Sequence, residues 1–116
     1  MLIQILKSKI HRVKITQADV NYIGSITIHS SLMKAANILA GEKVQVLNVS
    51  NGERLETYVI EGQKEGEVCM NGPAALKMSV GDIVIIVSYA LVDQKEAKMY
   101  NPTIIFPNES NNSIVV

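Results

Sequence analysis

The segment K-V-Q-V-L-N-V-S-N-G-E-R-L-E-T-Y-V-I, residues 43–60, decides the architecture. Val44 and Val46 open a strand in which alternate side chains share a face. Asn51-Gly52 follows. An Asn-Gly pair between two such runs is a strong hairpin signal, because both residues tolerate the positive φ of a tight turn whose twist matches the strands. The returning run E-R-L-E-T-Y-V-I puts Leu55, Thr57 and Val59 on one face and Arg54, Glu56 and Tyr58 on the other.

Further strands are expected on either side of this hairpin. Lys9–Ile15 carries Ile10, Val13 and Ile15 among basic residues, which suits an irregular or bulged strand. After Gly24, Ile26 and Ile28 share one face while Ser25 and Thr27 share the other. S-S-L-M-K-A-A-N-I-L at 30–39 changes character: Ser30 or Ser31 can cap a short helix whose stripe is Leu32, Ala35, Ala36 and Leu39, with Gly41 ending it. Beyond the hairpin, a second return at Gly62–Gly66 leads to Val68-Cys69-Met70, and Pro73 can open a single helical turn. Val80-Gly81-Asp82 turns into a buried strand over Ile83–Ser88. A charged segment, D-Q-K-E-A-K, precedes Pro102, and Thr103–Phe106 adds a last strand. The polar end, about 107–116 with N-E-S-N-N-S inside it, is expected to be mobile. Helices do not alternate with strands, so a doubly wound parallel sheet is excluded. The pattern predicts a mainly β chain: a small closed or nearly closed barrel with short helices.

With 116 residues, the chain is expected to form one domain with a real core. Eleven basic and eleven acidic residues leave no net charge. A nucleic-acid surface would carry a basic excess. The absence of Trp, with only four Tyr and one Phe, removes base-stacking material as well. A fairly apolar chain of low charge suits an oligomer subunit. Cys69 is the single cysteine, so it makes no internal disulfide and points to a reducing compartment. In V-C-M it reads as a buried structural thiol. His11, His29 and Cys69 lack the spacing of metal ligands. The N-terminal M-L-I-Q-I-L is interrupted by charge, and the block Ile83–Val87 is far too short to span a bilayer. No membrane segment and a cytoplasmic location are expected.

Candidate chemistry centres on Y-I-G-S-I-T at 22–27. Ser25 follows a glycine, but the second glycine of a G-x-S-x-G elbow is missing, and two histidines leave little for a Ser-His-Asp triad. Alone, the pair reads as a turn glycine before a strand serine. Lys9, His11 and Arg12 lie in a strand that otherwise seeks apolar neighbours. Arg54 and Tyr58 share a face, about 13 Å apart at ~3.3 Å per residue. Asn71-Gly72-Pro73-Ala74-Ala75 offers backbone N–H groups at a helix start, a ready anion site. Each also has an ordinary structural reading: a solvated arginine, a core aromatic, a plain turn.

Five blocks together are more specific: K-S-K-I-H-R at 7–12, Y-I-G-S-I-T-I at 22–28, N-G-E-R-L-E-T-Y at 51–58, N-G-P-A-A at 71–75 and V-G-D-I-V-I-I at 80–86. In this order and spacing the chain resembles the pyruvoyl-dependent aspartate 1-decarboxylase family, up to about Phe106. The resemblance implies a double-psi β-barrel, a homotetramer, and conversion of L-aspartate to β-alanine and carbon dioxide, with the product feeding pantothenate and coenzyme A synthesis. It further implies that Ser25 attacks the Gly24 carbonyl, cutting the chain into 1–24 (the β chain) and 25–116 (the α chain). Ser25 then becomes a covalent pyruvoyl group, and no metal or diffusible cofactor is needed. Good intramolecular orientation alone can remove about 7–11 kcal/mol from such a barrier. Gly24 has no β-carbon to crowd the approach. By the same resemblance Thr57 donates to the developing oxyanion, and the pyruvoyl ketone forms a Schiff base with the substrate amine. Lys9 and Arg54 bind carboxylates, with Arg able to do so through two parallel bonds. Thr57 and the Gly72-Pro73-Ala74 backbone hold the substrate, Tyr58 returns the proton, and His11 and Asn71 support.

Three positions depart from the family pattern. Pro73 replaces a common alanine and removes a backbone donor, Leu76 stands where a polar residue is frequent, and His29 where an acidic one is. They bear on affinity and processing rate rather than on the reaction. Two other readings compete: a non-enzymatic β-barrel adaptor, and a pyruvoyl decarboxylase of another amino acid. Either spontaneous cleavage or cleavage helped by a maturation protein is compatible with these residues.

Overall fold

The computed structural model describes residues 1–114. Eight strands and two short helices follow one another as β1 (Leu2–Lys14), β2 (Gln17–Asp19), β3 (Ser25–His29), α1 (Ser30–Ala36), β4 (Lys43–Asn48), β5 (Arg54–Gly62), β6 (Val68–Asn71), β7 (Ile83–Asp93), α2 (Gln94–Ala97) and β8 (Thr103–Ile105). A 3₁₀ helix, Gly72–Lys77, follows β6 with Pro73 in its first turn, as the sequence leads one to expect.

The hairpin forms as read. β4 and β5 pair antiparallel with Val44 opposite Thr57 and Val46 opposite Leu55. Its turn is closed by the Asn48 N–H donating to Glu53 O and the Gly52 N–H donating to Asn48 O, both at 2.8 Å. The strands form one mixed sheet in the order β2-β6-β3-β5-β4-β7-β1-β8. β1 pairs with β7 as far as Lys14 opposite Ile83, and three residues later Gln17 pairs with Cys69 of β6. One continuous run thus joins β1, next to last on one side of the sheet, to β2 at the other end and curls the sheet into a small barrel. β3 lies between β5, which it pairs parallel, and β6, which it pairs antiparallel. The return at Gly62–Gly66 therefore steps over β3 instead of making a hairpin. Ile10, Val13, Ile15, Ile26, Ile28, Val44, Val46, Val59, Val68, Met70, Val84 and Ile86 fill the interior.

Some boundaries differ from the expectation. β1 begins at Leu2 rather than Lys9, and β7 runs to Asp93 rather than Ser88, because the two protect each other's backbone along one long ladder. α1 ends at Ala36, well before Gly41. Asn37 takes a left-handed φ of 60°, and the Ile38 N–H reaches back to Met33 O at 2.9 Å, a Schellman closure. Leu39 is consequently 70% exposed, and Met33 and Ile38 bury in its place. No serine caps this helix: the cap position falls on His29, which makes no side-chain cap bond. β8 stops at Ile105, leaving Phe106 exposed.

Within the described part of the polar C-terminal segment, Asn112 is buried. It exchanges hydrogen bonds with the Lys14 backbone and donates to Gly66 O, while Glu109 pairs with Arg12 at 2.6 Å. Residues 115–116 of that segment lie outside the described residues.

Candidate active site

Ser25 opens β3 in the phase opposite to the core residues Ile26 and Ile28, yet it has no exposed surface. The cover comes from the β6 end, where Asn71 pairs directly with Ser25. The Ser25 hydroxyl donates to Ile23 O at 3.0 Å and accepts from Asn71 Nδ2 at 3.0 Å. The same Asn71 amide donates to Thr27 Oγ1 at 2.9 Å. Behind it, Gly72 has a φ of 77°, and a β-carbon there would meet Gly24 Cα at 2.6 Å and Gly24 N at 2.9 Å. Gly72 thus presses directly on the Gly24 backbone. Gly24 itself is exposed, and among the described residues none but its two chain neighbours comes within 4 Å of where its own β-carbon would stand. The Gly24–Ser25 bond is gripped on one side and open on the other.

β5 brings in Tyr58. Ile26 pairs with Val59, so one step back along the register sets Ser25 beside Tyr58, and both are out of phase with the core. Tyr58 is 40% exposed. Thr57 has the other phase: it pairs with Val44 and lies in line with the core residue Val59. Among the described residues, the hydrogen-bond partners of the Ser25 hydroxyl are Ile23 and Asn71, not Thr57. Pro73 is exposed, and Ala74 packs partly against the core.

The cationic candidates lie elsewhere on the barrel. Across β1, β7, β4 and β5 one register row runs Lys9, Val87, Gln45, Glu56 and a second runs His11, Ile85, Leu47, Arg54. Both rows lie on the outer phase, beside the core row of Ile10, Ile86, Val46 and Leu55. At about 4.8 Å between strands, His11 and Arg54 stand roughly 14 Å apart. Arg54 donates to Gln45 Oε1. His11 meets the Phe106 ring edge-on at 5.4 Å, and its buried Nδ1 has no partner among the described residues. Next to Ser25, Tyr22, Thr27 and Asn71 help line a cavity of about 360 Å³ whose charged groups are Asp19, Glu61 and Glu67. Carboxylates alone cannot recognise an anion. One chain therefore gathers Gly24, Ser25, Thr27, Tyr58, Asn71 and Gly72, while Lys9, His11 and Arg54 occupy a separate flank. Cys69 is buried and free, and burial pushes its thiol pKa up, in keeping with a structural role.

A family model described as aspartate decarboxylase matches residues 1–114. The chain belongs to the aspartate decarboxylase family. It is 59% identical to an aspartate 1-decarboxylase of Cytophaga hutchinsonii, over 98% of this chain and all of the relative. Identity is 55% to the protein of that name in Phocaeicola vulgatus, over 99% of this chain and all of the relative. It is 57% to that in Campylobacter fetus subsp. fetus, over 96% of both chains. No helix among the described residues is long and apolar enough to cross a membrane.

Asn71 is the residue whose weight the sequence understated. It stands in N-G-P-A-A, apart from Ser25 by 46 positions, and only the β3·β6 register brings the two together.

Proposed function

We propose that this protein decarboxylates L-aspartate at the α-carboxylate to β-alanine and carbon dioxide, through a pyruvoyl group made from Ser25. The Gly24–Ser25 junction carries this reading: a fully buried serine, hydrogen-bonded by Asn71, follows an unobstructed glycine in a chain of the aspartate decarboxylase family. In the maturation step the Ser25 oxygen bonds to the Gly24 carbonyl carbon, its proton passes to the Ser25 nitrogen, and the peptide C–N bond breaks to leave an ester. Elimination then frees residues 1–24 with a new carboxylate at Gly24, and hydrolysis releases the Ser25 nitrogen as ammonia. Asn71 stabilises charge on the Ser25 oxygen as its proton leaves.

The residues around Ser25 fit the resulting group, since the Asn71 amide, which also donates to Thr27 Oγ1, stands beside it as a donor. A pyruvoyl carbonyl condenses with an amine and accepts the electrons released when a carboxylate departs. Tyr58, one step back along the strand from the Val59 that pairs with Ile26, supplies the proton that replaces the lost carboxylate. Lys9 and Arg54 recognise the substrate carboxylates, and Thr57 with the Gly72-Pro73-Ala74 backbone completes the pocket.

Lys9 and Arg54 lie on a flank away from Ser25, so the site is completed by cations of a neighbouring copy in a homotetramer. Exposed Tyr22, Ile23, Leu76 and Phe106 support burial against other copies. The enzyme works in the cytoplasm and feeds pantothenate synthesis. The test is carbon dioxide release from purified protein offered aspartate, glutamate and alanine in turn. Release from aspartate with stoichiometric β-alanine is expected; release from another amino acid but not aspartate would overturn the assignment.

A further inference from the structure

Lys7 and Glu42 form a half-buried ion pair that the reaction scheme does not use. β1 carries one extra residue at this point: Leu6 pairs with Tyr89 and Ser8 with Ser88, which leaves Lys7 outside the ladder. A bulge of this kind re-aims a side chain. Here it turns Lys7 toward the loop between α1 and β4. Lys7 Nζ lies 3.1 and 3.0 Å from the two Glu42 carboxylate oxygens and also donates to Asn37 O. Glu42 Oε1 accepts the Leu39 N–H at 3.1 Å. Each side chain keeps only 19% exposure. Burial by itself raises the Glu42 pKa, but the Leu39 N–H, the Ser88 hydroxyl and the Lys7 ammonium together outweigh it and hold the carboxyl below its ordinary pKa.

The loop pinned in this way continues the ladder onto β5. The Gly41 N–H donates to Val59 O at 2.8 Å, and the Val59 N–H donates to Glu42 O at 3.1 Å. Both backbone groups of Val59 are thereby fixed to the loop that Lys7 holds, and Val59 is the residue after Tyr58.

We propose that Lys7 and Glu42 are positioning residues for Tyr58: their ion pair locks the 37–42 loop, the loop locks Val59, and Val59 sets where the Tyr58 hydroxyl delivers its proton. This rests on the reading of Tyr58 as the proton donor. The pair acts on the protonation step and leaves substrate recognition, which belongs to the distant Lys9 and Arg54, unchanged.

A double-mutant cycle tests this, using proteins shown by mass to be cut at Gly24–Ser25 and by circular dichroism to be folded. Lys7→Met and Glu42→Gln are each expected to lower kcat for aspartate about ten-fold with KM within two-fold, and Lys7→Arg to recover most of it. In a Tyr58→Phe background neither is expected to lower kcat further, since residues acting through one group are not additive. Equal fractional losses in both backgrounds would mean an ordinary structural brace and overturn the inference, as would parental kcat in both single variants. Glu42→Gln keeps the side-chain shape and reads the same cycle if Lys7→Met does not fold. Parental kcat in Tyr58→Phe alone would instead remove the role of Tyr58, and this inference with it.

Discussion

At the scale of single residues, the tightest constraint on the Gly24–Ser25 bond is the hydrogen at position 72. A methyl group there would stand 2.6 Å from Gly24 Cα, at a φ of 77° that L side chains rarely adopt. The left-handed conformation alone costs an alanine about 1–2 kcal/mol, and the contact can be relieved only by moving Gly24. Gly72→Ala is therefore expected to fold but to cut itself at least ten-fold more slowly, followed as the appearance of the 1–24 fragment by mass spectrometry; a parental rate would mean that the grip on Gly24 is irrelevant to cleavage. The Gly-Ser pair was legible in the sequence because its neighbours match a family block. The contact of Gly72 with Gly24 was not, since it depends on the register of β3 against β6, a pairing between segments more than forty residues apart. The same non-local register brings the Asn71 amide to the Ser25 hydroxyl.

For elements, alternation was a reliable guide where one face meets the core. β5 shows it: Arg54, Glu56 and Tyr58 are exposed, while Leu55, Thr57 and Val59 turn inward. Arg54 thus projects from the outer face about 13 Å along the strand from Tyr58. We expect Arg54→Ala, once its cleavage is confirmed, to lose roughly 10- to 100-fold in kcat/KM for aspartate, as a charged hydrogen bond of about 1.5–3 kcal/mol implies. Arg54→Lys should recover only part, because an ammonium lacks the planar fork. Unchanged kcat/KM in Arg54→Ala would remove it from substrate recognition. Alternation failed where the chain bends. The first half of β1 was unreadable because the bulge at Lys7 breaks its period, and α1 ended early because Asn37, not Gly41, took the left-handed cap. Gly41 serves the loop instead, donating to Val59.

Over the whole molecule, a mainly β, closed or nearly closed barrel followed from many short strands with few helices, but the route by which it closes did not. That depends on one chain segment changing partners, from β7 on one side to β6 on the other, between Lys14 and Gln17. The closed barrel has a consequence for assembly. In the proposed site, Lys9, His11 and Arg54 stand apart from Ser25, Asn71 and Tyr58 and are supplied by a second copy. Light scattering on the purified protein should give a mass near four chains, and a monomer with full activity would contradict the shared site. The central claim, that Ser25 is converted into the reactive group, is tested most directly by the intact mass of the purified protein beside Ser25→Ala, with no other factor added. The account predicts two pieces from the parent, residues 1–24 and residues 25–116, the larger lighter by one ammonia than a serine-headed fragment, and a single uncut, inactive chain from Ser25→Ala. A parent that decarboxylates aspartate as one uncut chain, or an alanine variant that still splits at this bond, would contradict it.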